Sequence, residues 1–376
     1  MSVAGIIFSN IHDKNIPELT SVRTMASVPF GCRYRLIDFA LSNMVNSGIS
    51  KIGVITQYNY HSLLDHIGTG KDWDLATRAG GIKIIPPNIT AFTGAQSEHY
   101  ASRLDALKSA TVFISRCKED YIVLSDCDVI CNIDLTDMID FHEKTGSDIT
   151  IATKKQSLTR EQAQKNVLVT SNGNGRVTDI SVYPTSMQGE HDISLNIVVL
   201  KRRLLESVVH DAIAHGYTSF NVDVLQRNLS SMVISAYDCK GYFATVSSVR
   251  EYYACSMELL LPEVRHELFG NRARPILTKV RNSPPARFAG ASSVKNSLIA
   301  DGCVIEGTVE NSILFRGVRV CPGACVKNSI IMQDGIILGG ATVNCTVLDK
   351  NVVVRDGRLL SGHETRPFYI EKGSMI

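Results

Sequence analysis

No stretch of this chain approaches the roughly 18 uninterrupted apolar residues that a membrane-spanning helix needs. Charge of one sign never gathers into a long block, and the net charge is only +2. Neither nucleic acid nor an anionic membrane has an electrostatic case as a partner. A signal peptide is missing too: Met1 leads straight into an apolar run at Val3, with no basic start and no cleavage site, so a cytoplasmic protein is expected. Zinc-type spacing is absent. Cys127 and Cys131, and again Cys321 and Cys325, are four apart, with no C-x-x-C pair and no histidine cluster. The ten cysteines, scattered along the chain, read as small buried hydrophobes.

What is present suffices for two domains: 376 residues, 44% of them hydrophobic, can bury a sizeable core. The first part alternates strand and helix. Val3 to Phe8 is an apolar run of buried-strand length, and residues 36 to 45 carry apolar side chains on one helix face. Gly48 stands where a helix end favours a left-handed residue. Strands follow at 52–55 and 82–85, then a helix over 103–116 and a strand over 121–124. Another helix starts at a Thr136 N-cap and stops at Gly146, before a strand at 149–153. Such alternation predicts an α/β fold with a mostly parallel, Rossmann-like sheet.

The texture changes near Pro262. Pro275, Pro284 and Pro285, among several arginines, read as an extended linker. Beyond it apolar residues recur every five or six positions: Val294, Ile299, Val304, Val309, Leu314, Val320, Val326, Ile331, Ile337, Val343, Leu348 and Val353. This period suits neither a helix nor an alternating strand. It suits hexapeptide coils, each short strand placing one aliphatic residue inside a triangular β-helix, and the twelve positions make about four coils. The expected division is an α/β domain over 1–260, a linker over 261–290 and a β-helix over 291–376.

The run Val28-Pro29-Phe30-Gly31-Cys32-Arg33-Tyr34-Arg35-Leu36-Ile37-Asp38-Phe39, followed by Leu41-Ser42-Asn43 and Asn46-Ser47-Gly48-Ile49, resembles a signature block of the ADP-glucose pyrophosphorylases, or glucose-1-phosphate adenylyltransferases. Thr56-Gln57-Tyr58, His66-Ile67-Gly68, Trp73-Asp74-Leu75 and, near the C-terminus, Asp349-Lys350-Asn351-Val352 are similar to further blocks in the same order. The resemblance implies a nucleotidyltransferase (GT-A-like) domain followed by a left-handed parallel β-helix. It also implies bacterial glycogen synthesis as the setting, with ATP and glucose 1-phosphate yielding ADP-glucose and diphosphate.

Joining two polyanions requires a phosphate cradle with close backbone approach, cations on the phosphates, and carboxylates holding Mg²⁺. The family's glycine-rich turn G-G-x-G-x-R-L corresponds to Phe8-Ser9-Asn10-Ile11-His12-Asp13, which has no glycine. Arg23 survives as a remnant catalytic candidate, but the phosphate-binding lysine position holds Met25. The family's glucose-phosphate lysine falls on Tyr183 and its adjoining glutamate on Val182. The glycine of S-M-G falls on Asn196, and the second metal aspartate on Thr245. Asp126 and Asp128, just past a strand, are the candidate Mg²⁺ ligands, with Asp128 the better match to the family. Tyr100 and Ser194 match glucose-phosphate contacts, and Gln57 matches a base contact; as bare residues they also suit packing roles.

Phosphate cradle, cation, sugar-phosphate cation and metal carboxylate all change in the same chemical direction. The resemblance therefore points to a non-catalytic or weakly active subunit of the GlgD type. Such a chain requires no cofactor of its own and assembles with a catalytic homologous subunit as a heterotetramer, with Mg²⁺ in the assembled enzyme. Its expected work is assembly and allosteric tuning. Arg272, Arg274, Arg281 and Arg287 are candidates to receive a sugar phosphate, phosphoenolpyruvate or another anionic effector, although a solvated linker accounts for them as well. The alternative is a competent adenylyltransferase using Asp126 and Asp128 for Mg²⁺ and Arg23 with Lys14 for phosphate. A hexapeptide acyltransferase is disfavoured because His363 lies past the last regular rung.

Overall fold

The computed structural model describes residues 2–77, 80–87, 100 and 102–376. Its contacts form two units, each assembled from separate stretches of chain. One is Met1–Ile11, Phe39–Tyr60 and Gly68–Phe243; the other is His12–Asp38, His61–Ile67 and Ala244–Ile376.

The first unit is built on a nine-stranded sheet. Val3–Phe8, buried along nearly its whole length as its apolar run predicts, pairs in parallel with Lys51–Ile55 on one side and Tyr121–Asp126 on the other. Gly81–Ile85 extends the parallel part outward. Beyond Tyr121–Asp126 the sheet is mixed. Gly189–Lys201 runs antiparallel to it and to Ile149–Leu158, which in turn pairs in parallel with Ile234–Asp238. The register of the long strand shifts between Ser194 and Val198, an irregularity of the kind that lets a strand bend away from one neighbour toward another. Close packing of the covering helices sets at least one glycine. A Cβ on Gly53 would stand 3.0 Å from the ring of Phe113 and 2.9 Å from Ile85.

Two boundaries differ from the sequence expectation. The helix predicted over 103–116 is two helices, Arg103–Ser109 and Thr111–Arg116. Ser109 and Thr111 turn their hydroxyls onto the carbonyls of Ala106 and Lys108 at 2.7 and 2.5 Å, competing with the helical ladder at the junction. The N-cap of Leu135–Lys144 is Asp134 rather than Thr136; its carboxylate accepts from the backbone N–H groups of Thr136 and Asp137 at 3.0 and 3.4 Å. Gly146 closes that helix at φ +60°, as its position in the sequence suggests.

In the second unit, the start of the expected linker is the helix Pro262–Phe269. Pro262 sits at its first turn, where a missing N–H costs nothing and a fixed φ helps, so the proline starts a helix instead of interrupting one. After 270 the chain is largely irregular up to Arg287–Phe288, the first short strand of the coils.

From there the chain forms three five-stranded parallel sheets, the faces of a parallel β-helix. Five strand levels are present where about four coils were expected. Val309, Val326 and Val343 stack inward on one face, and Leu314, Ile331 and Leu348 on another; all are fully buried. On the third face the inward residues are Ile305, Val320, Ile337 and Val354. Val304 and Val353 are therefore one position off the inward register, since neighbouring strand residues point to opposite faces. An apolar spacing of five or six leaves that one-residue choice open when both neighbours are aliphatic.

The repeated Asn-Ser pairs have a backbone reason. Asn296, Asn311 and Asn328 occupy the left-handed region at φ +40°, +46° and +45°, which asparagine tolerates better than most residues. Cys345 takes the same place at φ +49°. The hydroxyls that follow them form a ladder. Ser312 N–H donates to Ser297 Oγ at 3.1 Å, Ser329 N–H to Ser312 Oγ at 3.1 Å, and Thr346 N–H to Ser329 Oγ at 3.2 Å. Ser312, Ser329 and Thr346 are fully buried. Removing one hydroxyl strands the N–H of the next coil, a loss of about 1–3 kcal/mol. Ser329→Ala is expected to lower the guanidinium unfolding midpoint of the β-helix accordingly. Ser297→Ala, on the exposed first rung, is expected to shift it less.

Candidate functional site

Within the first unit, the strand Val3–Phe8 runs into Ser9 and Asn10, in the glycine-free stretch set against the family's glycine-rich turn. Both are buried. Asn10 Oδ1 accepts from Ser9 Oγ at 2.7 Å, Thr56 Oγ1 at 2.9 Å and Gln57 N–H at 3.0 Å, while its Nδ2 donates to the Tyr58 carbonyl at 3.2 Å. A side chain thus fills the space that glycines would leave to a ligand. Gln57 Nε2 donates to the Tyr100 carbonyl at 3.1 Å, and these residues with Phe8, Ile11 and Ile55 line a crevice without room for one water molecule. Gln57 Oε1 is buried there with no hydrogen-bond partner among the described residues.

The strand Tyr121–Asp126 delivers Asp126 to its end and Asp128 to the turn beyond; both are buried. Asp126 is held by Arg103, whose Nε and Nη2 donate to Oδ1 at 3.2 Å and Oδ2 at 2.7 Å. Arg103 is itself buried, its guanidinium 5.7 Å from the ring centre of Phe8 and 5.9 Å from that of Phe220. Burial alone would make the guanidinium less basic, but Asp126 and then Asp128 outweigh it and hold it firmly charged. Such a bidentate fork uses one oxygen lone pair on each side of the carboxylate. A divalent cation on Asp126 has to compete with this guanidinium in a buried setting.

Tyr183 lies within the electrostatic reach of Arg103, Asp126 and Asp128, and its phenol is raised mainly by burial. It holds φ +51°, unusual for a bulky residue, and its side chain remains about half exposed. Val182 packs on the sheet core beside it. Asn196 takes a left-handed backbone, at φ +57°, with its N–H on Ser194 Oγ at 3.3 Å.

The second unit holds the remaining candidates. Met25 is buried, and its N–H donates to Asp13 Oδ1 at 2.7 Å. Asp13 therefore caps a backbone donor. Arg23, also buried, donates from Nη2 to Asp349 Oδ1 at 2.9 Å, and its Nη1 is buried with no partner. Thr245 ends the short strand Phe243–Thr245.

This unit also contains a cavity of about 370 Å³ that sequence reasoning did not find. Six cations line it: Arg33, Arg35, Lys279, Arg281, Arg316 and Lys350, with His66 beside them and Asp334 as the carboxylate on its wall. Of the four linker arginines singled out from sequence, only Arg281 lines it. Arg287 instead lies 3.7 Å from Glu306 and is mostly exposed. Arg35 is fixed by Nη1 donating to the Ser62 carbonyl at 2.5 Å and to Ser62 Oγ at 2.8 Å. Arg316 Nε meets Asp301 at 3.2 Å, and Lys279 donates to the Asp65 carbonyl. Gln333 Oε1, also on the lining, is buried without a partner.

Burial, with crowding of like charge second, shifts the protonation equilibria here. Burial first, then Arg35 and Arg23, push the Lys350 ammonium down to about 7. Burial likewise lowers Arg35 to about 10. His66 Nε2 lies 2.6 Å from Asp38 Oδ1, the geometry of an ion pair, yet its pKa is lowered. Burial, together with Arg35 and Lys279, outweighs the carboxylate, so the contact is a hydrogen bond from a neutral ring at neutral pH.

Residues 14–257 match the model of the nucleotidyl transferase family, and residues 284–365 match that of the GlmU-like C-terminal hexapeptide. A glycogen biosynthesis protein GlgD of Bacillus subtilis is 32% identical over 375 residues, covering 98% of this chain and 95% of the relative. A GlgD of Geobacillus stearothermophilus is 35% identical, covering 99% and 96%. A glucose-1-phosphate adenylyltransferase of Fervidobacterium nodosum is 31% identical over 377 residues, covering 99% and 88%. The chain belongs to the ADP-glucose pyrophosphorylase family.

Membership in this family is carried by nearly the whole length of the chain. The cationic cavity escaped the sequence reading nonetheless. Arg33, Arg35, His66 and Lys350 all stand inside the family-like blocks, but their convergence with Lys279, Arg281 and Arg316 depends on the coils. A count of cations within those blocks was the one available signal.

The Arg103–Asp126 pair has a direct test. Arg103→Leu leaves a buried carboxylate without its cation and is expected to cost about 3–5 kcal/mol in chemical denaturation. The double variant Arg103→Leu with Asp126→Leu is expected to recover most of that loss.

Proposed function

We propose that this chain is a non-catalytic or weakly active subunit of glucose-1-phosphate adenylyltransferase, the enzyme that forms ADP-glucose and diphosphate from ATP and glucose 1-phosphate. Its work is to assemble with a catalytic homologue and to tune it in response to an anionic effector. The observation that carries this reading is the commitment of Asp126 to Arg103, which meets inside the protein the charge that a metal would meet during turnover. Loss of the second metal carboxylate at Thr245 and the filling of the phosphate turn by Asn10 act in the same direction. A Mg²⁺ shared by Asp126 and Asp128, whose carboxylates lie close enough to hold one, would have to displace the Arg103 fork.

The cavity of the second unit supplies the other half of the reading. Six cations against one lining carboxylate suit a ligand bearing phosphate or another multivalent oxyanion, held by guanidinium forks and ammonium groups. A ligand that binds one arrangement of the unit better than another shifts the population of the assembled enzyme. Both GlgD relatives are glycogen biosynthesis proteins, and glycogen biosynthesis is the setting proposed here.

The test is an ADP-glucose synthesis assay with Mg²⁺, run on this chain alone and mixed with a catalytic homologue. The expected outcome is no measurable turnover alone, with raised activity or an altered anion response in the mixture. Robust turnover by the chain alone, abolished by Asp128→Asn, overturns the regulatory reading in favour of a rearranged but working site.

A further inference from the structure

We propose that the cationic cavity takes up a proton together with its anion, and that the amine of Lys350 is the group that gains it. This rests on the anion reading of the cavity given above. Lys350 follows Asp349 in the turn after the strand Thr346–Leu348, on the β-helix face that carries Leu314, Ile331 and Leu348. The groups acting on it come from every neighbouring element. Arg35 and Arg23 lie in the stretch His12–Asp38, and Lys372 follows the final strand Phe368–Ile370. Arg33, Lys279, Arg281, Arg316 and His66 share the cavity wall with it.

Compensation for this charge is already committed elsewhere. Asp349 Oδ1 accepts from Arg23 Nη2 at 2.9 Å and from the N–H of Lys350 at 2.6 Å, and its Oδ2 accepts from the Tyr369 hydroxyl at 3.0 Å. Asp301 pairs with Arg316, and Asp38 receives His66 and the N–H of Arg35. Asp334 is the carboxylate on the cavity wall itself. An empty cavity of this kind favours the neutral amine, which agrees with a Lys350 pKa of about 7.

A bound dianion reverses the balance. It neutralises the cations that oppose protonation and gives the ammonium a partner, so the pKa of Lys350 rises in the complex. At a pH above the lowered value, binding then draws one proton from solvent onto the amine. No covalent bond changes. By linkage, affinity falls as pH rises through and beyond the free-state pKa, about tenfold per pH unit. Below it the amine is already charged, and uptake vanishes.

The probe is inorganic sulfate, a dianion that does not itself titrate near neutrality. Its binding to the full chain is followed by calorimetry in buffers of different ionisation enthalpy. The expected result is uptake approaching one proton per sulfate at about pH 8 and close to none at about pH 6, with a Kd rising about tenfold per unit above about pH 7. Lys350→Arg, which keeps the charge but cannot lose it in this range, is expected to bind sulfate with little uptake and little pH dependence. Sulfate binding to the unaltered chain without proton uptake overturns the coupling and leaves the anion site standing. Uptake that persists in Lys350→Arg and disappears in His66→Asn overturns the assignment to Lys350. No sulfate binding at any pH overturns the anion reading itself, and the coupling with it.

Discussion

A charge taken out of water must be met inside the protein, and both units of this chain are organised around that demand. In the sheet unit the demand is met locally: Arg103 closes both oxygens of Asp126, with the rings of Phe8 and Phe220 nearby. In the second unit Asp349 meets the buried Arg23, but the cations around the cavity are only partly matched. The first arrangement is a finished interaction. The second holds positive charge in reserve, and burial together with Arg35 and Arg23 lowers the pKa of Lys350.

The β-helix makes that reserve possible. Its inward aliphatic stacks and its buried serine–threonine ladder fix each coil on the next, so residues far apart in sequence arrive at one wall with little freedom. Arg316 and Asp334 are brought near each other by successive coils, as the hydrogen bond from Asp334 N–H to the Arg316 carbonyl at 3.0 Å shows. Lys350 arrives from the coil after that. Rigid presentation matters for a cluster of like charge, since flexible side chains on a loop would spread apart.

Family membership and altered chemistry coexist because a fold tolerates changes in its sites more readily than changes in its core. Asn196 takes a left-handed backbone, and the bond from Met25 N–H to Asp13 ties that turn into the interior. Asn10 is held by hydrogen bonds from Thr56 and Gln57. On the proposed reading, the chain keeps the shape a homologue must pack against while its chemistry is left to that partner.

Sequence by itself determined the local patterns. The apolar run Val3–Phe8 specified a buried parallel strand, Gly146 a helix end, and the five-to-six spacing after Val294 a triangular coil. Each follows from periodicity or from the backbone freedom of one residue type. The ordered family-like blocks determined the family. Tertiary structure alone decided whether Val304 or Ile305 faces inward, because two adjacent aliphatics satisfy the same spacing. It also decided that Arg103, unremarked in the sequence, closes Asp126, and that Arg35, His66, Arg281 and Lys350 share one cavity. Electrostatic partnership depends on distance in space across more than two hundred residues of chain, and no local pattern encodes it.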